Sequence, residues 1–363
     1  MNKVSFKEYL KESEPEKNEK GYVWHTAIGL QAVDGLKTSQ YLIDTAIKNI
    51  EGEISIDDVQ NLLNSYYKTN PKSNSNDRTE EADKVAARIA KLLSENAFSF
   101  TPNEYISIHK KLFSGIYSHA GKIRDYNITK KEWVLDGATV IYGSASQLRE
   151  TLEYGFSEER KFSYKGLNQD EIIHHLALFV SRLWRIHVFG EGNTRTTAVF
   201  FIKYLRTLGF YATNDIFAKN AWYFKNALVR ANYNDLINGI HETTGYLELF
   251  LRNLILNENN ELHNRSMHIS GQFSNIKKVD IDDKKADIET ILSNIKEKIS
   301  SKTVDYVIKL YGSYGSNKIF GRSDIERVIG LKSTRTSELI KLMLDNDIIE
   351  PVQGYGKGKY RFK

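Results

Sequence analysis

Two long helical patterns enclose a short polar stretch, and this arrangement constrains the fold more than any other feature of the sequence. QDEIIHHLALFVSRLWRI (169–186) and TTAVFFIKYLRTLGF (196–210) both repeat apolar residues at helical spacing, and Gly209 is placed to end the second helix. Between them lies HVFGEGNTR (187–195), which holds a histidine, a carboxylate, two glycines, an asparagine and an arginine. We therefore predict two packed helices joined by a glycine-bearing turn, with the start of the second helix beside that turn.

Most of the chain before these helices is also predicted to be helical. Apolar residues recur at helical spacing from Tyr22 to Tyr67 and from Asp83 to Leu93, with the polar surface loop TNPKSNSNDRTE between the two stretches. A further helix is predicted to begin at Thr101-Pro102, where the threonine can cap the first turn. The best strand candidate in this part is EWVLDGATVIY (132–142), which alternates loosely around Asp136-Gly137 and predicts a β-hairpin.

The C-terminal part reads as a separate unit. From Asn257 to Lys278 the helical period is lost, which predicts a connector. Three helix-like pieces (303–315, 322–330 and 332–347) then precede two short extended pieces around a Gly/Lys turn (348–363), an order typical of a winged helix. Residues 301–363 hold 12 Lys/Arg against 7 Asp/Glu. Basic residues that suit DNA are Arg322, Lys332, Arg335, Lys341, Lys357, Lys359 and Arg361, although winged helices also serve as protein-binding modules.

Composition and length limit the class of protein. The 363 residues suffice for two or three compact units, and we expect boundaries that give regions 1–99, 100–235, 236–298 and 299–363. The absence of cysteine excludes disulfides and thiolate zinc sites and fits a reducing cytoplasm. The N-terminal residues lack the apolar region of a signal peptide, and no run approaches the roughly 20 apolar residues that span a bilayer. We expect a cytoplasmic protein without a membrane partner, and a net charge of +5 implies that any acidic partner meets a local basic surface.

Residues 187–195 have the chemistry of a phosphate site. Unpaired N–H groups and the dipole at the start of a helix favour an anion, and Gly190 and Gly192 let the backbone approach it closely. Arg195 in the first turn is unfavourable unless an anion neutralises it. Glu191 offers an oxygen ligand for magnesium, which bridges to phosphate oxygens, and a neutral His187 can take a proton from an attacking hydroxyl. Together these residues predict phosphoryl or nucleotidyl transfer.

The pattern His-x-Phe-x-Glu-Gly-Asn-x-Arg at 187–195 resembles the core motif of Fic domains, which transfer AMP from ATP onto hydroxyl side chains of proteins. The resemblance extends upstream to the segment from Ala120 to Arg124, which is similar to the family's Ala-Gly-Lys-x-Arg, and to the hairpin, which corresponds to the family's target-docking flap. It covers roughly residues 100–235. The fold expected is mainly α, a Fic-type helical core with a small β-hairpin flap, followed by the winged helix.

The resemblance assigns roles to individual residues and implies ATP and Mg²⁺ as cofactors. It makes His187 the general base, Phe189 the anchor that fixes the loop, and Glu191 the magnesium ligand. The nucleotide would be bound by Gly190, Gly192, Asn193, Thr194 and Arg195, with Asn232 and Tyr233 as weaker candidates for the adenine pocket. The flap residues Val134, Leu135, Asp136 and Gly137 would pair their backbone with an extended target segment, so that varied proteins, including this chain itself, are modified on Ser, Thr or Tyr.

Three departures from the family pattern affect this interpretation. Thr194 replaces a usual glycine, and in the related Doc group a lysine at this position accompanies kinase activity with the nucleotide reversed. Ala198 stands where many members have a second arginine that contacts the γ-phosphate. The best match to the family's inhibitory motif is LQAVDG, with Leu30 in place of the hydroxyl and Asp34-Gly35 in place of Glu-Gly. We expect weak or absent autoinhibition, with the open question of whether Asp34 still reaches Arg195.

The sequence leaves alternatives open. The main hypothesis is a protein adenylyltransferase, and the runners-up are a Doc-like protein kinase and a DNA-binding regulator whose Fic core senses nucleotide. Loss of His187 would abolish turnover of either enzyme but not the function of a sensor. His174 and His175, near Glu171, are interpreted as partly buried histidines with hydrogen-bond partners, since adjacent helical residues point about 100° apart. Self-association and the target protein stay open.

Overall fold

Helices make up most of this computed structural model, which describes residues 14–70, 77–210, 216–270, 301–314, 319–346, 348–352 and 358–362. The chain divides into two compact units, Met1–Ile269 and Ser270–Lys363. The described helices of the first unit are α1 (Pro15–Gly29), α2 (Gln40–Ile50), α3 (Ile56–Thr69), α4 (Thr79–Ser94), α5 (Pro102–Phe113), α6 (Leu148–Lys161), α7 (Gln169–Ile186), α8 (Asn193–Thr207), α9 (Ile216–Arg230), α10 (Gly245–Leu256) and α11 (Asn264–Met267). The prediction of a mainly helical protein is confirmed.

Polar caps explain where several of these helices begin. The Thr101 hydroxyl accepts the N–H of Glu104 at 3.1 Å, so the predicted start of α5 is confirmed. Asn168 caps α7 in a reciprocal arrangement with Glu171. Gly209 lies just beyond α8 with φ +85°, a conformation that favours glycine. The two helices expected around the motif are therefore present, and the motif forms their junction.

One hydrophobic core joins the N-terminal helices to the helices around the motif. It extends along the chain from Val23 on α1 to Met267 on α11. At its centre, the ring of Phe200 on α8 lies 5.4 Å from that of Tyr105 and 5.3 Å from that of Phe156. The predicted boundaries at residues 99 and 235 fall within this packed unit.

The predicted β-hairpin at 132–142 is not formed. Trp133–Leu135 curls into a 3₁₀ turn that buries Val134 and Leu135, because these apolar side chains pack into the core. Asp136 follows with φ +52° and Gly137 with φ +86°, so the Asp-Gly turn itself is present. The N–H of Glu132 donates to the carbonyl of Ala138 at 3.0 Å and closes the turn without a strand ladder.

The second unit contains the one sheet of the described residues. Its elements are α12 (Ser301–Tyr314), β1 (Phe320–Gly321), α13 (Arg322–Ile329), α14 (Ser333–Asp345), β2 (Ile349–Pro351) and β3 (Lys359–Phe362). The sheet is antiparallel in the order β1-β3-β2, with Phe320 opposite Tyr360 and Ile349 opposite Phe362. The predicted helices and extended pieces are present. The strand β1 was not predicted, and Lys357 lies outside the described residues.

No helix in the described ranges is both long and apolar enough to cross a membrane.

Candidate active site

His187 lies at the junction of α7 with the motif loop, in an unusual backbone conformation. Its φ is +53°, a left-handed value that costs energy for a residue with a side chain. Arg124 stabilises this turn, because its Nε donates to the His187 carbonyl at 2.8 Å and its backbone N–H donates to Val188 O at 2.9 Å. The same guanidinium also bonds to the carbonyls of Tyr126 and Gly143. The backbone geometry of the junction is thus stabilised by one buried arginine.

The His187 imidazole is buried, with one nitrogen bonded and the other available. Nδ1 lies 3.3 Å from the carbonyl of Trp184, which requires the proton on Nδ1. Nε2 is buried and has no hydrogen-bond partner among the described residues, so its lone pair is unused. Burial, reinforced by the charge of Lys130, lowers the pKa of His187 well below its usual 6.5. At neutral pH the ring is therefore a neutral base with a free acceptor nitrogen.

The loop that follows is held in shape by the side chain of Asn193. Its Nδ2 donates to Phe189 O at 2.7 Å, and its Oδ1 accepts the Phe189 N–H at 3.0 Å. Gly192 has φ +77°, and a Cβ there would lie 2.4 Å from the ring of Phe113. A Cβ on Gly190 would lie 2.6 Å from the hydroxyl of Tyr126. Glycine is required at Gly192, where the ring of Phe113 is buried, whereas the atom near Gly190 is the end of the exposed Tyr126 side chain.

His109 on α5 supports the same loop and was missed by the sequence interpretation. Its Nδ1 accepts the N–H of Gly121 at 2.9 Å, so its Nε2 donates to the Glu191 carbonyl at 3.0 Å. Its ring stacks on Phe189 with centroids 3.7 Å apart. Burial is the main cause that lowers the pKa of His109 to about 4. The available signal was a single polar residue on the apolar face of a helix, between Ile108 and Leu112.

Glu191 presents a carboxylate to solvent at the edge of the loop. Its side chain is 52% exposed, and Lys130 Nζ lies 3.4 Å from Oε2. Among the described residues, no group of three or more His, Cys, Asp or Glu side chains is placed to hold a metal by itself. A single open carboxylate nevertheless fits Mg²⁺, which protein sites often bind through one or two carboxylates, with phosphate oxygens and water completing the shell.

The start of α8 has the chemistry of an anion site. No side chain caps it, so its first N–H groups remain available beside Gly192. Thr194 in the first turn has an ordinary helical backbone, and its hydroxyl accepts the Trp184 indole N–H at 3.0 Å. The departure from glycine at this position is therefore accommodated by a contact with the core.

Arg195 is fully buried and engaged by protein groups. Nη2 lies 2.7 Å from Glu81 Oε1 and Nη1 lies 3.1 Å from Gln31 Oε1. Asp34 Oδ2 lies 2.8 Å from Nε, close enough for an ion pair but not aligned as a hydrogen bond. The guanidinium also lies 4.8 Å from the ring centroid of Phe113. Burial disfavours its charge, but these partners outweigh that effect and raise the pKa of Arg195.

Asp34 thus reaches Arg195, which answers one question that the sequence left open. It ends the 3₁₀ turn Leu30–Asp34, and Gly35 follows with φ +69°. Leu30 is buried where the inhibitory motif has a hydroxyl, and Ala198 is buried in the core. Glu81 was not foreseen as a second carboxylate at this arginine.

Four further residues that the sequence singled out have contacts of their own. Asn232 donates its amide N–H groups to Ser181 O at 3.1 Å and Leu228 O at 2.9 Å, and Tyr233 packs against the core. Their role in an adenine pocket stays a prediction. His174 bonds to Glu248 and His175 to Glu159, both at 2.7 Å, as predicted, but only His175 is partly buried and His174 is exposed. Neither histidine belongs to a group of three or more His, Cys, Asp or Glu side chains that could hold a metal among the described residues.

The turn at 132–142 approaches His187 through one residue. The ring of Tyr142 lies 4.3 Å from the His187 ring. Val134 and Leu135 are buried, so their side chains are not available to a target, whereas Asp136 and Gly137 are exposed. Ile141, next to Tyr142, is 87% exposed.

Comparison with known proteins finds similarity to the part of the chain that holds this site. Residues 99–205 match the sequence model of the Fic/DOC family. A protein adenylyltransferase, VbhT of Bartonella schoenbuchensis, is 32% identical over 104 residues, which are 29% of this chain and 20% of VbhT. The chain therefore matches about a fifth of the length of this relative. A crystal structure of a Fic family protein from Desulfovibrio desulfuricans is similar with a TM-score of 0.42 and 10% identity, covering 99% of this chain and 91% of the other.

Proposed function

We propose that this chain is a protein adenylyltransferase that uses Mg²⁺ and ATP, a proposal supported by the match of residues 99–205 to the sequence model of the Fic/DOC family. It transfers AMP to Ser, Thr or Tyr hydroxyls of proteins, including its own, and releases pyrophosphate. The observation that carries this proposal is the buried His187 with Nδ1 bonded to Trp184 O and the Nε2 lone pair unused. A group placed in this way suits a general base.

In the proposed reaction His187 Nε2 takes the proton of the target hydroxyl as its oxygen attacks the α-phosphorus of ATP. The bond between the α-phosphorus and the bridging oxygen to the β-phosphate breaks, and the electron pair leaves with pyrophosphate. The bond from Arg124 Nε to the His187 carbonyl holds His187 in place during this step. The left-handed backbone at His187 thus helps to orient the imidazole as well as to shape the fold.

Negative charge on the phosphates is met by the loop and by the start of α8. The open N–H groups beside Gly192 and the helix dipole favour phosphate oxygens. Glu191 would hold Mg²⁺, which neutralises phosphate charge when bound. The bond from His109 to the Glu191 carbonyl fixes the backbone from which this carboxylate projects. Arg195 contributes its charge once its N–H groups are released to the nucleotide.

Two further features concern target recognition and autoinhibition. We assign target docking to the exposed residues Asp136, Gly137 and Ile141, in the segment that leads to Tyr142 beside His187. We assign only weak autoinhibition to Asp34, because its single ion pair with Arg195 is not aligned as a hydrogen bond.

The decisive test compares ATP labelled at the α-phosphate with ATP labelled at the γ-phosphate on the purified protein with magnesium. We expect stable protein label from the α-position alone, and loss of that label in His187→Ala. The control is His174→Ala, which removes an exposed histidine on the same helix that pairs with Glu248. Label from the γ-position alone would instead establish the Doc-like kinase.

The second unit supports a separate proposal, a winged helix that binds DNA. Its three helices and its two C-terminal strands follow the order expected from the sequence, with β1 in addition, and Lys332, Arg335 and Lys341 are exposed on or next to α14. Each phosphate contact that a lysine or arginine makes should steepen the salt dependence of DNA binding. Titration of the full chain with duplex DNA at several salt concentrations tests this, and no salt-dependent binding would contradict it.

A further inference from the structure

Two elements hold the buried guanidinium of Arg195 from different directions. Glu81 on α4 holds Nη2 at 2.7 Å. The 3₁₀ turn Leu30–Asp34 supplies Gln31 to Nη1 at 3.1 Å and Asp34 to Nε at 2.8 Å. The two carboxylates are held with very different firmness, and this difference separates their roles.

Glu81 is fixed in place by its surroundings. Its side chain is 7% exposed, and both oxygens accept hydrogen bonds from Arg78, from Nε to Oε2 at 2.9 Å and from Nη2 to Oε1 at 2.7 Å. The Tyr117 hydroxyl donates to Oε1 at 2.6 Å. Although burial opposes ionisation, these bonds outweigh it and lower the pKa of Glu81 to about 2. Removing such a carboxylate from its partners leaves buried charges unpaired, which is costly.

Asp34 is held much less firmly. Its side chain is 21% exposed and its contact with Arg195 Nε is not aligned as a hydrogen bond. It ends a turn of five residues and precedes Gly35, whose left-handed backbone permits a change of direction. Asp34 can therefore be displaced by movement of a short segment, whereas Glu81 lies on a buried helix.

The charges of the cluster support the same division. The guanidiniums of Arg78 and Arg195 are balanced by the carboxylates of Glu81 and Asp34 while all four groups are in place. Once Asp34 has moved, the cluster carries net positive charge, and the Nε group of Arg195 is free for an anion, while Gln31 still accepts a hydrogen bond from Nη1. Glu81 still offsets the cost of the buried arginine and fixes its orientation.

We infer that Glu81 is a positioning residue that orients Arg195 for the nucleotide phosphates, and that it is not a second inhibitory carboxylate. Tyr117 shares this role, because its oxygen lies 3.2 Å from Nη2 of Arg195 and of Arg78. The inference rests on the proposed function, since it takes ATP as the ligand.

The test measures ATP affinity with magnesium by calorimetry for Glu81→Gln and Asp34→Ala. Glutamine keeps the size and one acceptor but removes the charge, so we expect roughly tenfold weaker ATP binding. Asp34→Ala should bind ATP more tightly, by less than roughly tenfold. The matched control is Glu80→Gln on the same helix, whose carboxylate pairs with Lys84 at 2.7 Å and should leave affinity unchanged.

A double-mutant comparison separates positioning from a general effect on folding. If Glu81 acts through Arg195, Glu81→Gln adds no further loss of ATP affinity in an Arg195→Gln background. If Glu81→Gln does not fold, Tyr117→Phe gives the same readout with a smaller loss in the same direction. If the wild-type protein binds ATP and Glu81→Gln binds it as tightly or more tightly, the inference about Glu81 is overturned but the proposed function is not. Failure of the wild-type protein to bind ATP would overturn the proposed function and the inference with it.

Discussion

The two nitrogens of His187 have different tasks, and the difference follows from their neighbours. Nδ1 is bonded to Trp184 O, and Nε2 is buried with its lone pair unused. Burial lowers the pKa, and so do the charges of Lys130, Arg124 and Lys225. The ring is thus prepared to accept a proton at neutral pH, without a carboxylate to orient it.

The first prediction concerns the pH dependence of kcat/KM, which reports the base in the free enzyme. Because the pKa of His187 is lowered, the ring stays neutral as the pH falls to 6.5, and the acid limb of the profile should lie below that value. Lys130→Gln removes a nearby positive charge and should move the limb to higher pH. A wild-type limb at or above pH 6.5, or an unmoved limb in the variant, would contradict this account.

The second prediction concerns Thr194 and the stability of the protein. Thr194→Val is nearly isosteric but leaves the buried Trp184 indole N–H without its acceptor, and should lower the free energy of unfolding by about 1–3 kcal/mol. Thr194→Ser keeps the hydroxyl and is the matched control. Denaturant unfolding followed by circular dichroism measures both, and equal stability of the valine variant and wild type would show that the contact is unimportant.

Sequence analysis identified the site residues that lie next to one another in the chain and missed those that distant segments contribute. His187, Glu191 and Arg195 lie within one stretch whose spacing is distinctive. Glu81 lies more than 100 positions from Arg195 along the chain and looks like any charged residue in the first turn of a helix. Only the packing of α4 against the core brings it to the arginine.

At the scale of elements, α5 positions the loop through a hydrogen bond and a ring stack. His109 accepts the N–H of Gly121, donates to the carbonyl of Glu191 and stacks on Phe189. This one side chain therefore joins α5, the segment around Gly121 and the motif loop. The loop is therefore supported from outside as well as by its own Asn193.

The third prediction follows from this link. His109→Phe keeps a ring against Phe189 but leaves the Gly121 N–H and the Glu191 carbonyl unpaired, so kcat/KM for self-modification should fall about tenfold or more. His174→Phe, at an exposed position, should change it little. The circular dichroism spectra of both variants must match that of the wild type for the comparison to be valid. An unaltered kcat/KM in His109→Phe would show that His109 does not support the active loop.

The hairpin shows why elements are harder to predict than motifs. The Asp136-Gly137 turn was correctly identified from its dipeptide, yet the flanking residues did not form strands. Val134 and Leu135 gain more by packing into the core from a 3₁₀ turn than by alternating along a ribbon. Local alternation cannot report such a tertiary preference.

At the scale of the whole molecule, the two units have separate hydrophobic cores. The first includes Trp24, Phe200 and Met267, and the second includes Leu310, Phe320 and Met343. Each unit buries its own apolar side chains. The helix order of the second unit was readable from sequence, but β1, only two residues long, was too short to give a pattern.

The fourth prediction is that the first unit keeps its activity by itself. A chain that ends at Ile269 contains the whole first core and every residue of the candidate site, so its self-modification rate should stay within about threefold of the full chain. Thermal unfolding and α-label transfer measure this together. A truncated chain that folds but does not transfer label would show that the second unit takes part in the reaction.

The measurement that tests the central claim most directly compares His187→Ala with wild type for ATP binding and for transfer of α-label in the same samples. We predict that the variant binds ATP within about twofold of wild type and transfers no label, since the base is removed but the phosphate site is kept. A variant that transfers label at the wild-type rate would contradict the role of His187 and with it the proposed mechanism.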